Sequence, residues 1–195
     1  MLVGVPAALI EIGIFKGFSK LNLDPFLISI LYLFVGVALV EEVLKYWVVR
    51  EKVISDPEFD EPVDAMLYMI IAALGFASLE NLLILWPAQK PFFLLETLTI
   101  SSFRFVGATF LHALCSAMVG YFLALSFFES KDRIKLLMIG LGIAIVLHGF
   151  YNFSIIMIEG NLRFIIPTII LIGLAIAVSL GFKRLKKLAS VCKIN

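Results

Sequence analysis

Ionisable residues lie inside the apolar runs of this chain, not between them. Glu41, Glu42 and Lys45 follow a stretch from Phe26 to Val40 with no charged residue, and Glu80, His112 and His148 each interrupt another apolar stretch. A charged side chain at the centre of a bilayer costs about 2.5–3.5 kcal/mol even on the mildest scale, so such groups turn toward protein. Backbone polar groups in lipid must be satisfied within the chain, which leaves helices as the spanning element for segments of this length. The chain is therefore expected to be an all-α, polytopic transmembrane bundle wrapped round a polar centre.

Composition agrees. Of 195 residues, 62% are hydrophobic and only 16% charged, with a mean hydropathy of +1.06. Soluble domains are about half apolar and about a quarter charged. A span needs about 20 mostly apolar residues. Six helices are expected near residues 2–19, 25–49, 62–86, 100–128, 134–157 and 163–182, the first being short and carrying Glu11 and Lys16. Asp24-Pro25 and Glu61-Pro62 read as helix starts, and Trp86-Pro87 as an interfacial end. Residues 87–99, with Phe92 and Phe93, fit an interfacial stretch. A single domain over 1–195 is expected, without an internal repeat, and a cleaved signal peptide is not expected, since Met1 to Ile10 has no basic start and Glu11 and Lys16 interrupt the run. Cys115 and Cys192 suggest no disulfide framework. A net charge of +1 gives no reason to expect a nucleic-acid partner.

Six crossings collect Lys45, Arg50, Lys52, Lys131, Arg133, Lys135, Lys183, Arg184, Lys186, Lys187 and Lys193 on one side. Lys16, Lys20, Lys90 and Arg163 fall on the other. The positive-inside rule then places both termini in the cytoplasm, and the tail from Lys183 to Lys187 could meet anionic headgroups or act as a simple stop-transfer anchor.

Lys45 lies four residues after Glu41 and three after Glu42, so it can neutralise either within a turn. One acid can then stay ionised while the other serves as general base; the bland alternative is a snorkelling interfacial cluster. Phe76 and Glu80 share a helix face, and Ala72, Ala73, Gly75, Ala77 and Ser78 allow a neighbouring helix to approach closely. Glu80 thus points into a bundle, for chemistry or for one structural hydrogen bond. His148 and Asn152 are four apart, with Tyr151 nearby. Two histidines on separate helices, with three intramembrane carboxylates, favour function over isolated polar contacts. Glu and His are both zinc ligands, and catalytic zinc sites use three protein ligands and a water. Arg104 could pair with a carboxylate or line an entrance. By depth, Glu41 falls nearer the basic end of its helix than Glu80, with His112 and His148 near mid-membrane. Helix tilt must absorb that offset.

The chain lacks His-Glu-x-x-His, the Gly-x-Ser-Gly of rhomboid-like serine proteases and the Gly-x-Gly-Asp of aspartyl intramembrane proteases. Any site must be assembled across several helices. An enzyme, a transporter using the acids and histidines as a proton relay, and a catalytically dead peptide-binding scaffold all remain open on spacing alone.

In order, Glu41-Glu42-x-x-Lys45, Phe76-x-x-x-Glu80-Asn81, His112 and His148-x-x-Tyr151-Asn152 resemble the PrsW family of intramembrane proteases. Glu61-Pro62-Val63-Asp64-Ala65, Gly75-Phe76-Ala77, Arg104 and Gly120-Tyr121 add to the likeness, which covers roughly residues 35–155. That family is similar to the CAAX prenyl protease and bacteriocin-processing superfamily, whose second motif ends in His where this chain has Glu80. The resemblance implies an integral protein of a prokaryotic cell membrane. It also implies hydrolysis of peptide bonds in membrane-anchored proteins, with first-site cleavage of an anti-sigma factor as the family's known role. The residues it implicates are Glu41, Glu42, Glu80, His112, His148 and Asn152, supported by Lys45, Asn81 and Arg104. Glu41 or Glu42 is expected to activate water. Glu80, His112 and His148 are expected either to hold zinc or to orient that water directly without a metal. His148 and Asn152 are expected to face the tetrahedral oxyanion.

Overall fold

The structure is a computed structural model that describes residues 4–54, 56–85, 106–128 and 130–188. Among these, every long element is helical: α1 (Gly4–Phe18), α2 (Pro25–Lys52), α3 (Pro62–Leu85), α4 (Ala108–Phe128), α5 (Arg133–Met157) and α6 (Leu162–Leu185). Five of the six, α2 to α6, are long and apolar enough to cross a membrane. The exception is α1, whose 15 residues rise only about 22 Å.

Local chemistry sets the ends. Asp24 caps α2 by accepting hydrogen bonds from the Phe26 and Leu27 backbone amides, while Pro25 occupies the first turn, where a missing N–H is harmless. Before α3, Asp64 reaches back to the amides of Asp60 and Glu61, closing the turn that precedes Pro62. The start expected near residue 100, and Trp86, Pro87, Phe92, Phe93, Arg104 and Cys192, lie outside the described residues.

The tightest seam joins α3 to α4. A methyl group on Gly120 would stand 2.5 Å from the Ala65 carbonyl oxygen and 2.7 Å from Met66 Cα, so the two backbones touch. Small residues permit such an approach in a membrane, where helices associate by packing and not by expelling water. On α5, a methyl on Gly149 would collide with the Phe34 ring at 2.5 Å, so that glycine seats α2 beside His148. Outward faces carry Ile139, Ile156, Ile169, Ile172 and Ile176, all exposed, as lipid contact requires.

Within α2, residues Tyr32–Leu39 adopt π geometry directly before the two glutamates. Such widened turns occur mostly as local insertions and often beside functional residues. Helix α1 runs antiparallel to this segment: Phe15 meets Tyr32, a methyl on Gly36 would touch Ile14, and Ala7 packs with Val40 and Phe76. With α1 on one flank and α4 and α5 on the other, α2 turns Glu41 and Glu42 inward while Leu39 and Val43 keep the outward face. Two adjacent acids can therefore both be buried.

Basic residues gather at the end of the bundle where α2 finishes and α5 begins, as the contact of Gly140 with Phe122 and of Gly120 with Met66 requires of antiparallel neighbours. Lys45 is a correction to that grouping. It is 1% exposed, because α2 continues to Lys52 and leaves it well inside the bundle.

Candidate functional site

Six of the singled-out side chains converge from four helices. Lys45 is the hub. Its ammonium donates to Glu42 Oε1 at 2.7 Å and to His112 Nδ1 at 2.9 Å, stands 3.5 Å from Glu41 Oε2, and lies 4.9 Å from the Phe76 ring centroid. Because Lys45 has only protons to offer, Nδ1 of His112 must accept. That fixes the tautomer, so Nε2–H donates to Glu80 Oε2 at 2.9 Å.

The second imidazole is oriented in the same way. Nδ1 of His148 donates to Glu42 Oε1 at 2.9 Å, which leaves Nε2 with a lone pair 3.9 Å from Glu41 Oε2. A carboxylate fixing one imidazole nitrogen and leaving the other as an acceptor is the usual second layer of a metal site. Glu42 is saturated: Lys45 and His148 meet Oε1, and Ser116 donates to Oε2 at 3.3 Å. Glu42 is 0% exposed.

Glu41 is different. Its Oε2 is buried and makes no hydrogen bond among the described residues, but stands 3.5 Å from the Lys45 ammonium, 3.5 Å from His112 Nδ1 and 3.9 Å from His148 Nε2. Acceptor atoms facing one another in a low-dielectric interior need a shared cation or proton, and in this structure the Lys45 ammonium meets two of the three, His112 Nδ1 and Glu41 Oε2. One ligand atom from each of Glu41, His112 and His148 lies within 4.8 Å of the others. One carboxylate and two imidazoles form the donor set of many catalytic zinc sites, so these residues fit a divalent metal. This candidate set contains Glu41, whereas Glu80, expected as a ligand, engages His112 from its Nε2 side.

A cavity of about 200 Å³ opens beside this cluster, toward the end of the bundle away from the basic loops. Glu80, His112, His148, Tyr151 and Asn152 supply its polar wall, and Leu111 and Ile155 its apolar one. The Glu80 side chain is 27% exposed, against 3% or less for Glu41 and Glu42. Asn152 lies one turn after His148 on the same wall. Asn81 turns away and donates to Thr109 Oγ1 at 3.1 Å, tying α3 to the start of α4. Arg104 lies outside the described residues.

The expected depth offset is real and is bridged. By helix rise alone, Glu41 stands about 16 Å from the basic end of α2 and Glu80 about 27 Å from the same end of α3, with the histidines between them. Lys45, Glu42, His148 and His112 form a ladder of contacts across that interval.

Three participants were not singled out in the sequence. Ser116 reads there as one more small residue of an apolar helix, and nothing in its spacing marks it. Thr109 has the same history. Glu11 registers only as a charge breaking a short run. It lies on the face of α1 shared by Ala7 and Ile14, toward Val40 and Phe76, and within electrostatic range of Glu80 and Lys45.

Fold and site define a class: a polytopic helical membrane protein built round a buried carboxylate–imidazole centre. Residues 1–181 match the family described as PrsW family intramembrane metalloprotease, and the chain belongs to that family. It is similar to protease PrsW of Bacillus subtilis (strain 168), 28% identical over 160 residues, 81% of this chain and 67% of that protein. Protease PrsW of Clostridioides difficile (strain 630) is 28% identical over 153 residues, 77% of this chain and 59% of that protein. Protease PrsW of Geobacillus kaustophilus (strain HTA426) is 33% identical over 123 residues, 63% of this chain and 51% of that protein. The chain thus spans about half to two thirds of the length of these relatives. No solved structure gives a significant match. Family membership does not favour the transporter alternative.

Proposed function

We propose that this protein is an endopeptidase that cuts membrane-anchored proteins at the cavity beside Glu80, His112 and His148. The observation that supports this reading is the meeting of a buried carboxylate oxygen, Glu41 Oε2, with the imidazole nitrogens His112 Nδ1 and His148 Nε2 beside a cavity lined by Glu80 and Asn152.

Glu41, His112 and His148 would hold the metal that the family description names. When bound, zinc polarises a carbonyl and lowers the pKa of water. Glu80 is the carboxylate that faces the cavity, so it takes the proton from the attacking water and returns it to the departing amine nitrogen. Asn152 donates to the oxyanion as the carbonyl carbon becomes tetrahedral. Glu42 and Lys45 hold the two histidines in register and exclude water behind them. The expectation that either Glu41 or Glu42 acts as base thus gives way to a division of labour among three glutamates. An anti-sigma factor, the substrate class implied by the family resemblance, is the first protein to assay.

One observation favours a second, metal-free reading. The Lys45 ammonium already lies beside His112 Nδ1 and Glu41 Oε2, where a metal would compete with it. There Glu41 would be the base and Lys45 the resident cation.

The test uses purified protein and a fluorescent membrane-anchored peptide. E80Q is expected to lower kcat by about 10²–10⁴ while retaining zinc, whereas E41Q loses zinc and activity together. Wild-type rates in E80Q overturn the base assignment. Full activity in zinc-free wild type overturns the metal set in favour of the Lys45 reading.

A further inference from the structure

At the basic end of the bundle, well away from the polar centre, a second cavity of about 570 Å³ lies between α2, α4 and α5. Arg50 enters it from α2 and Arg133 from the first turn of α5, with Tyr46 between them and within electrostatic range of both. Leu123 and Leu137 form its apolar wall. We propose that this cavity binds the phosphodiester headgroup of an anionic phospholipid of the phosphatidylglycerol kind.

Three observations converge on that ligand. The Arg133 guanidinium is held 5.3 Å from the Phe127 ring, an anchor that sets its position without using its hydrogen bonds. Among the described residues Arg50 pairs with Glu51 through Nε at 3.9 Å, with both side chains more than half exposed, so that contact is weak and screened. The positive end of the α5 dipole lies beside Arg133, and the Asp132 side chain makes no capping hydrogen bond there. Guanidinium forks match phosphate oxygens in pairs.

The apolar part selects a lipid over a free anion. Ile134, 78% exposed, stands at the cavity mouth, and Met138, 61% exposed, continues the same face of α5 one turn further into the membrane. An acyl chain can follow that face while its phosphate stays with the two arginines. Glu51, on the rim, disfavours a second phosphate. Basic pockets between spanning helices are a recurrent site for acidic headgroups.

The experiment follows thermal unfolding and lipid retention, by native mass spectrometry, of the full chain in detergent. The probes are dioctanoylphosphatidylglycerol, dioctanoylphosphatidylcholine and inorganic phosphate. Phosphatidylglycerol is expected to raise the unfolding midpoint and to remain bound at one molecule per chain, while the other two do neither. R50Q/R133Q should weaken retention by about tenfold or more, whereas K52Q/K135Q, which removes the same charge outside the cavity, should not. Arg50 and Arg133 are exposed, so the unfolding midpoint of R50Q/R133Q without lipid checks that its fold is intact. An equal shift with inorganic phosphate, undiminished retention in R50Q/R133Q, or an equal loss in K52Q/K135Q overturns the proposal.

Discussion

The polar centre has a sealed half and an open half, made from the same residue types. In the sealed half, Glu42 meets Lys45, His148 and Ser116, and none of the group is more than 1% exposed. In the open half, Glu80 touches His112 Nε2 from a cavity wall and its side chain is 27% exposed. Burial removes water from both the charges and any substrate. A saturated carboxylate in a dry site can hold shape but has no room to exchange a proton with a water. The chemistry therefore belongs to the half that solvent reaches, and the sealed half keeps the imidazoles oriented for it.

The largest effect is expected from breaking the sealed half at its hub. Lys45→Met leaves Glu41 and Glu42 buried without their cation, and removing one partner of such a pair costs about 3–5 kcal/mol. Unfolding in mixed micelles should show that loss, together with poor recovery of folded protein. Lys45→Met/Glu42→Gln should regain a large part of it, because a buried pair replaced as a unit is far less harmful than one half left alone. If Lys45→Met unfolds at the wild-type denaturant concentration, the sealed half has no structural role. At the open half the reverse is expected. Asn152→Ala should lower kcat by about 10²–10³ through loss of an oxyanion donor, with KM and the unfolding midpoint nearly unchanged. A variant whose KM rises while kcat holds would instead make Asn152 a substrate-binding residue.

How much of this division could be read from sequence depended on which forces act locally. Asp24-Pro25 and Glu61-Pro62 placed two helix starts correctly, because caps and proline act over a few neighbouring residues. Intramembrane Glu and His pointed inward for a reason that needs no tertiary detail, the cost of charge in lipid. Lys45 falls with the basic end in sequence because it lies close to Arg50 and Lys52, yet it stands two turns inside the end of α2 and is buried. The π segment Tyr32–Leu39 has no sequence signal of its own; it packs against Ile14 and Phe15 and, through Phe34, against Gly149. Which glutamate meets which histidine was also beyond spacing. Those pairs join residues on different helices, and their register is set by contacts such as Gly120 on Ala65. That register sets Glu41 Oε2 near His112 Nδ1 and His148 Nε2, and Glu80 against His112 Nε2.

Ser116 offers the smallest and sharpest check on the comparison. Its hydroxyl donates to Glu42 Oε2 at 3.3 Å, a long bond to a carboxylate already held on its other oxygen by Lys45 and His148. Ser116→Ala removes that donor with little change in volume, so the expected cost is about 1 kcal/mol. The remaining partners keep Glu42 in place, and kcat should stay close to wild type. Unfolding midpoint and turnover on the same membrane-anchored peptide read the two quantities separately. A stability loss with turnover kept means that the sealed half is scaffold. Turnover falling as far as it does in Glu80→Gln, with stability kept, would mean that Glu42 itself handles a proton, and the line between the halves would have to move to include it.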